Sequence, residues 1–130
     1  MKPILTALPL ALLAGAGLAS ETLMPHAGGQ TWVLESLGGQ PFEARATMTF
    51  PEAGRVAGDA PCNSYTGAME ADYPGFETGA LISTRRTCPD QPAEDRFLQA
   101  LAEMRGITVL DNVLVLTAPD GDQLVFRAAE

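Results

Sequence analysis

The chain has 130 residues, of which 46% are hydrophobic and 18% charged, and this length accommodates one domain with a single modest core. Eight basic residues are set against sixteen acidic ones, which gives a formal net charge of −8 at pH 7. This balance argues against a phosphate-neutralising surface for nucleic acid and against electrostatic docking to anionic lipid headgroups.

The first nineteen residues have the pattern of an export signal. Lys2 provides a positive start, residues 4–13 form a short apolar stretch, and the small residues Gly17 and Ala19 suit a cleavage site. The apolar stretch is shorter than a bilayer span and contains a proline, which argues against a permanent membrane anchor. We therefore expect cleavage near Ala19 and a periplasmic or secreted protein, in which seven arginines face sixteen acids.

Residues 20–30 are mostly small or polar and include one proline and two glycines, so they predict a flexible lead-in to a domain over 31–128. That domain begins with T-W-V-L-E-S-L-G-G, whose alternation places Trp32 and Leu34 on one face of a strand. The next run, A-R-A-T-M-T-F, alternates in the same way. Further short strands are predicted in R-V-A-G-D and in C-N-S-Y-T-G-A-M-E.

One helix is predicted, at about 91–105. Pro92 lies near its first position, acidic residues occupy its first turn, and Arg105 and Gly106 suit its end. The apolar stripe of this helix comprises Ala93, Phe97, Leu98, Leu101 and Met104. A stripe of this kind packs against a sheet.

Three more strands follow the predicted helix, in I-T-V-L, V-L-V-L-T and D-Q-L-V-F-R-A, and P-D-G-D between the last two indicates a hairpin. The chain therefore has seven or eight short strands around one helix, without internal repeats. This pattern predicts an α+β fold that is mainly antiparallel β, with a sheet that curls around its core and is partly closed by the helix.

Six motifs between Trp32 and Arg127 follow one another along the chain. They are W-V-L-E-S-L-G-G, A-T-M-T-F, R-V-A-G followed by C-N-S-Y-T-G, L-I-S-T-R-R-T-C, E-x-x-F at Glu94–Phe97, and L-V-L-T-x-x-D-G-x-x-L-V-F. In this order and at these spacings the motifs resemble the META domain family, to which the bacterial heat-shock protein HslJ belongs. The resemblance implies a cracked, barrel-like arrangement of antiparallel strands.

The resemblance also carries expectations about function. Members of the family are associated with stress, secretion and motility, and in some bacteria with tolerance of aminocoumarin antibiotics, but no enzymatic reaction is common to them. Two positions depart from the family's pattern: Pro61 stands where a glycine often precedes C-N, and Arg86–Thr87 replaces an apolar pair before the second cysteine. The resemblance implies little about activity, and a function that relies on the family's apolar pair is not expected to carry over to this chain. We expect no enzymatic activity and no cofactor.

Cys62 and Cys88 are the only cysteines. An even count in a chain with an export signal favours a disulfide, and closing this loop of about 27 residues contributes on the order of 3 kcal/mol in the chain-entropy model. A nucleophilic cysteine needs a base held nearby, and the single histidine, His26, lies in the predicted lead-in. Zinc would need two further ligands, and two buried free thiols are the remaining alternative.

Four residues are candidates for contact with a ligand or partner: Asn63, Tyr65, Arg85 and Arg86. Asn63 and Tyr65 belong to a polar run, although an asparagine beside a bend also bonds its own backbone and an inward tyrosine belongs to the core. Arg85 and Arg86 stand just before Cys88 and the helix, where they suit an anionic group or a partner's carboxylate. The alternative for both arginines is intramolecular pairing with the many acids.

Three functions are compatible with these patterns. The leading hypothesis is an exported, non-enzymatic META-type module that binds a protein partner or a small ligand in envelope stress. We expect it to be a monomer without metal-binding residues, and to bind neither nucleic acid nor the membrane interior. The second hypothesis is a carrier that holds an apolar or lipidic ligand inside the curled sheet, in a cavity lined by Trp32, Met48, Phe50 and Leu101.

The third hypothesis, ranked last, is a hydrolase that uses two carboxylates held across a cleft. The acidic pairs considered for this role are Glu70 with Asp72, Glu94 with Asp95, and Asp120 with Asp122. The last pair lacks the further ligands of a calcium loop and is explained by a turn.

Overall fold

The structure is a computed structural model that describes residues 23–130. The predicted export signal and its cleavage site near Ala19 lie outside the described residues. Within 23–130, no helix is both long enough and apolar enough to cross a membrane. The helices are α1 (Met24–Ala27) and α2 (Gln91–Glu103), and the strands are β1 (Trp32–Leu37), β2 (Gln40–Pro41), β3 (Thr47–Glu52), β4 (Arg55–Asp59), β5 (Ser64–Glu70), β6 (Glu77–Ser83), β7 (Gly106–Leu110), β8 (Val113–Thr117) and β9 (Gln123–Ala128).

The strands form one antiparallel sheet that curls into a half-barrel. The strand order is β6-β5-β4-β3-β1-β9-β8-β7, and the short β2 pairs with β1 outside this path. The crack lies between the end strands β6 and β7. It is partly bridged where Gly75 pairs with Gly106 and where the N–H of Ile107 donates to the carbonyl of Pro74 at 2.8 Å. This architecture confirms the predicted α+β fold, a mainly antiparallel, cracked barrel-like sheet with an inserted helix.

The core fills the concave side of the sheet. Side chains of a strand alternate between its two faces, so Trp32 and Leu34 of β1 point inward, and Phe97 and Leu101 of α2 pack into the same cluster. The largest fully buried side chains are Trp32, Phe50, Phe97, Phe126, Met48, Leu101, Met104, Ile107, Leu114, Leu116, Leu124 and Val56. The helix thus supplies part of the only extensive apolar cluster of the described residues.

The predicted flexible lead-in is corrected where the structure describes it. Over 23–30 the chain forms α1, and Leu23 and Ala27, one helical turn apart, are buried in the core. The indole Nε1–H of Trp32 donates to the carbonyl of Ala27 at 3.0 Å and ties α1 to β1. The prediction gave weight to the proline and the glycines and overlooked this apolar pair.

Helix α2 forms where it is predicted, and its buried face matches the predicted stripe at Phe97, Leu101 and Met104 but not in the first turn. Ala93 is only half-buried, whereas Glu94, Phe97 and Leu101 are buried together along one side. The spacing of three and four residues is that of one helical face. The first residue of the buried face of α2 is therefore a carboxylate, Glu94, and its surroundings form part of the candidate site.

Candidate functional site: a groove beside a buried polar junction

The two cysteines form the predicted disulfide. Cys62 and Cys88 are bonded through sulfur, with their Cα atoms 5.7 Å apart. The bond ties the turn before β5 to the segment that leads into α2. Because the two sulfurs are bonded to each other, neither thiolate is available as a nucleophile or as a zinc ligand. The loop closed by this bond spans 26 residues of sequence separation, which corresponds to about 3 kcal/mol of stability in the chain-entropy model.

Asn63, next to the disulfide, uses its whole side-chain amide within the protein. The amide nitrogen donates to the carbonyl of Arg86 at 2.9 Å and to Glu94 Oε2 at 2.6 Å. The amide oxygen accepts from the N–H of Arg86 at 2.6 Å and from the hydroxyl of Thr84 at 2.8 Å. These four bonds fill the capacity of an amide, and the residue is buried. Asn63 therefore holds the segment after β6 in place and has no group left for a ligand.

Glu94 completes this arrangement from the helix side. Its carboxylate accepts from the N–H of Cys62 at 2.8 Å and the N–H of Asn63 at 2.9 Å, in addition to the side chains of Asn63 and Gln91. Burial by itself raises the pKa of the Glu94 carboxyl, but these hydrogen bonds together outweigh burial and hold the pKa below its ordinary value. We call Asn63, Glu94 and the groups bonded to them the polar junction.

From the sequence, Glu94 is a first-turn acid of the helix, part of the E-x-x-F motif and one member of an acidic pair considered for hydrolysis. The role of Glu94 in bonding the turn at Cys62 and Asn63 was not predicted. Its partners Cys62 and Asn63 lie 32 and 31 residues away, so no local pattern shows the contact. The signal that was available is the position of Glu94 three residues before Phe97, on the face that packs on the sheet. A buried carboxylate requires buried donors, and a motif that contains Asn63 is a source of them.

Tyr65, the second candidate of the polar run, is part of the core. Its hydroxyl donates to the carbonyl of Thr47 at 2.7 Å, and its ring meets Phe97 edge-on at a centroid distance of 5.7 Å. Burial, with a smaller contribution from the charge of Asp59, raises the pKa of the Tyr65 hydroxyl well above its ordinary value. Asn63 and Tyr65 are thus interior residues that support the fold. For Tyr65 this is the core position weighed from the sequence, whereas Asn63 bonds distant residues and not its own backbone.

Arg85 and Arg86 have the opposite environment. Both are exposed and lie along an open groove of about 630 Å³. One wall of the groove consists of residues 81–87, and the other consists of Asn63 together with Gln91, Glu94, Asp95 and Leu98 in α2. Nowhere in the described range does either guanidinium make an ion pair or a hydrogen bond. The alternative of pairing with the protein's own acids is therefore wrong for residues 23–130.

The interior of the curled sheet is filled by side chains and contradicts the carrier hypothesis. Trp32, Met48, Phe50 and Leu101 are each at most 2% exposed and belong to the core cluster. Five surface cavities of residues 23–130, of about 240 to 630 Å³, are not lined by any of the four side chains. A ligand inside the sheet would have to displace close-packed core residues.

Two of the acidic pairs considered for hydrolysis have contacts that explain them. Glu94 is occupied by the polar junction, and a lowered pKa is the opposite of what a general acid needs. The carboxylate of Asp120 accepts from the N–H of Asp122 at 2.9 Å, as expected for a turn. In the part of the chain that the structure describes, no group of three or more His, Cys, Asp or Glu residues could hold a metal ion.

Residues 23–130 thus form a half-barrel with one inserted helix, a disulfide and a polar junction at the helix start. The chain belongs to the META domain family, whose sequence model matches residues 23–130. The family has no known catalytic activity. No curated protein sequence matches the chain.

Solved structures share the fold at low sequence identity. A crystal structure of a DUF4847 family protein from Bacteroides vulgatus has a TM-score of 0.67 at 13% identity and covers 81% of this chain and 96% of that chain. An NMR structure of a protein from Burkholderia xenovorans has a TM-score of 0.61 at 20% identity, with 99% and 97% covered. A further NMR structure has a TM-score of 0.63 at 20% identity, with 79% and 92% covered. These likenesses show the fold alone.

Proposed function

We propose that the protein is a non-enzymatic interaction module of the bacterial envelope that acts in stress, and that it binds an anionic group of its partner in the groove at Arg85 and Arg86. The observation that carries this proposal is the pair of adjacent guanidinium groups without an intramolecular partner among residues 23–130. They occur in a chain with twice as many acidic as basic residues, where partners of opposite charge are abundant.

The chemistry of the arginine pair favours a carboxylate or another planar anion. A guanidinium presents several N–H donors in a rigid fork that binds a carboxylate through two parallel hydrogen bonds. The backbone that carries Arg85 and Arg86 is held by the amide of Asn63 and by the nearby disulfide at Cys88. A rigid backbone lowers the entropy lost when these side chains bind, which strengthens binding.

The envelope location in this proposal is supported by the predicted export signal and by the disulfide. Disulfides persist in oxidising compartments such as the periplasm and are rare in the bacterial cytosol. The stress role is supported by membership of the META domain family. The non-enzymatic part of the proposal is supported by the family, which has no known catalytic activity.

Complementation of a strain that lacks the gene tests this proposal. The strain carries the wild-type gene, the double variant Arg85→Gln/Arg86→Gln, or the control Arg96→Gln, which removes an exposed arginine of α2 outside the groove. We expect the wild type and the control to restore growth under heat and detergent stress, and the double variant to fail at equal protein level. Full restoration by the double variant would overturn the binding site, and equal growth of the parent and deletion strains would overturn the stress role.

A further inference from the structure

We propose that the partner of this groove is an extended peptide segment with one carboxylate side chain, which adds as a new strand to the free edge formed by β6 and its continuation to Thr87. This inference rests on the proposed function, because it takes the groove at Arg85 and Arg86 as the binding site. It goes further by naming the class of partner and the way its backbone is bound.

The segment after β6 continues the strand beyond its last residue. The N–H of Thr84 donates to the carbonyl of Ser64 at 3.1 Å, as in the ladder between β5 and β6. Two residues later, the N–H and the carbonyl of Arg86 are both bonded by the side-chain amide of Asn63. The side-chain amide of Asn63 therefore bonds Arg86 as the backbone of a neighbouring strand would. It extends the hydrogen-bonded pairing of β5 and β6 by two residues.

Backbone groups of successive strand residues point to opposite edges of the strand. Because Thr84 and Arg86 point toward β5, the N–H and carbonyl groups of Arg85 and Thr87 point toward the groove. Neither residue makes a hydrogen bond anywhere in the described range 23–130. The groove thus presents two residues whose backbone donors and acceptors are available to another strand.

Proteins usually protect the edge of a sheet with bulges, prolines, charges or a covering element. Here β6 is the last strand of the sheet, and its pairing with β5 is irregular between Gly67 and Met69, which disrupts the first half of the edge. The second half, residues 81–87, remains open to the 630 Å³ groove. Ile82 on this half is 68% exposed, although large apolar side chains are otherwise buried in most of the domain. This half carries two arginines and lies beside α2, but its backbone groups at Arg85 and Thr87 make no hydrogen bond within residues 23–130. Open backbone groups next to an exposed apolar side chain are what β-strand addition uses.

Charge identifies the partner as a peptide with a carboxylate. Arg85 and Arg86 supply positive charge on one wall, and the acids Glu94 and Asp95 on the opposite wall repel a carboxylate. A peptide carboxylate is therefore directed to the arginine side. A second copy of this chain is disfavoured, because each copy carries a net charge of −8 and the two repel each other.

The test uses the full mature protein labelled with ¹⁵N and a blocked heptapeptide, acetyl-Thr-Val-Thr-Glu-Thr-Val-Thr-amide, whose only charge is the glutamate. Three matched probes are the same peptide with glutamine at the centre, the same peptide N-methylated at its three central residues, and free acetate. We expect the glutamate peptide to shift the amide signals of residues 81–87 and of the first turns of α2. The glutamine peptide should bind about tenfold more weakly, because a charge-assisted bond is lost.

The N-methylated peptide keeps the carboxylate but cannot donate backbone hydrogen bonds at its centre, so we expect it to bind at least about tenfold more weakly. The double variant Arg85→Gln/Arg86→Gln should bind the glutamate and glutamine peptides equally, whereas Arg96→Gln should behave as wild type. Undiminished binding of the N-methylated peptide, or signal changes with acetate equal to those with the peptide, would overturn strand addition and leave a simple anion site. No binding of the glutamate peptide would also overturn it. Each of these results leaves the complementation outcome unchanged, so failure of this inference is distinguishable from failure of the proposed function.

Discussion

The polar junction and the groove lie side by side, but their polar groups differ in burial and in hydrogen bonding within the protein. In the junction, Glu94 and Asn63 are buried and every polar atom of their side chains is bonded within the protein. In the groove, the guanidinium groups of Arg85 and Arg86 are exposed and unbonded within the described range. The polar groups of the junction are used within the fold and support it, whereas the guanidinium groups of the groove are available to a partner.

The two regions are also mechanically connected. Arg86 belongs to both, because its backbone is bonded by Asn63 while its side chain lies along the groove. The junction thereby fixes the backbone that presents the arginine pair. If the junction supports the fold and the arginine pair binds the partner, changes in the junction reduce stability. Changes at the arginines then reduce binding without reducing stability.

The largest expected effect is that of Glu94→Ala. The substitution leaves the N–H groups of Cys62 and Asn63 and the amide of Asn63 without their carboxylate acceptor in a buried site. We expect the free energy of unfolding to fall by about 3 to 5 kcal/mol, the range for breaking a buried charged network. Urea denaturation followed by the fluorescence of Trp32 measures this change.

The matched control for that experiment is Asp95→Ala, the adjacent and exposed acid of the same helix turn. We expect it to change the free energy of unfolding by less than about 0.5 kcal/mol, as for most surface substitutions. Equal losses for Glu94→Ala and Asp95→Ala would show that the helix start, rather than the buried carboxylate, is the sensitive element. The contrast between junction and surface would then be lost.

A second prediction concerns how the stability that the Glu94 carboxylate contributes to the wild type depends on pH. The pKa of the Glu94 carboxyl is lowered in the folded protein. The carboxylate therefore stabilises the fold at pH values above the pKa of a glutamate side chain in the unfolded chain, about 4.3. This contribution is lost as the pH falls through the lower folded pKa. The difference in unfolding free energy between wild type and Glu94→Gln should therefore be constant near neutral pH and shrink below about pH 4.

The measurement is a series of urea denaturations from neutral pH to the acid limit of folding, with Asp95→Asn as the control. The control should follow the wild type in parallel at every pH, because its carboxylate is exposed. A difference between wild type and Glu94→Gln that stays constant into strong acid would show that ionisation of Glu94 does not contribute. The junction would then depend on shape rather than on charge.

Much of the fold could be predicted because its signals are local. The alternation in T-W-V-L-E and A-T-M-T-F predicted strands, and the stripe through Phe97 and Leu101 predicted the helix, which forms at Gln91–Glu103. The disulfide followed from the even cysteine count together with the export signal. The structured α1 was missed because a four-residue helix with a proline carries little periodic signal and is held by tertiary contacts such as the bond from Trp32 to Ala27.

The site was predicted only in part because its contacts are long-range. The arginine pair was recognisable from charge, but whether an exposed arginine has a partner depends on which acids the fold brings near it. The pairing of Glu94 with the turn at Cys62 and Asn63 joins residues more than 30 positions apart. Asn63 was weighed as an asparagine that bonds its own backbone, but it bonds Thr84 and Arg86, which are 21 and 23 positions away and could not be identified from a local pattern.

The smallest expected effect, and the one that decides the interpretation of the groove, is on the stability of Arg85→Gln/Arg86→Gln. We expect its free energy of unfolding to lie within about 0.5 kcal/mol of the wild type, because exposed side chains without partners contribute little. Removing two positive charges increases the net negative charge, which slightly favours unfolding, whereas removing cations close to the first turns of α2 slightly favours folding. Urea denaturation at physiological salt measures the balance. A loss above about 1 kcal/mol would show that the arginines are bonded within the fold in solution. Failed complementation by this variant would then reflect instability. If the stability is unchanged, failed complementation reflects a loss of binding.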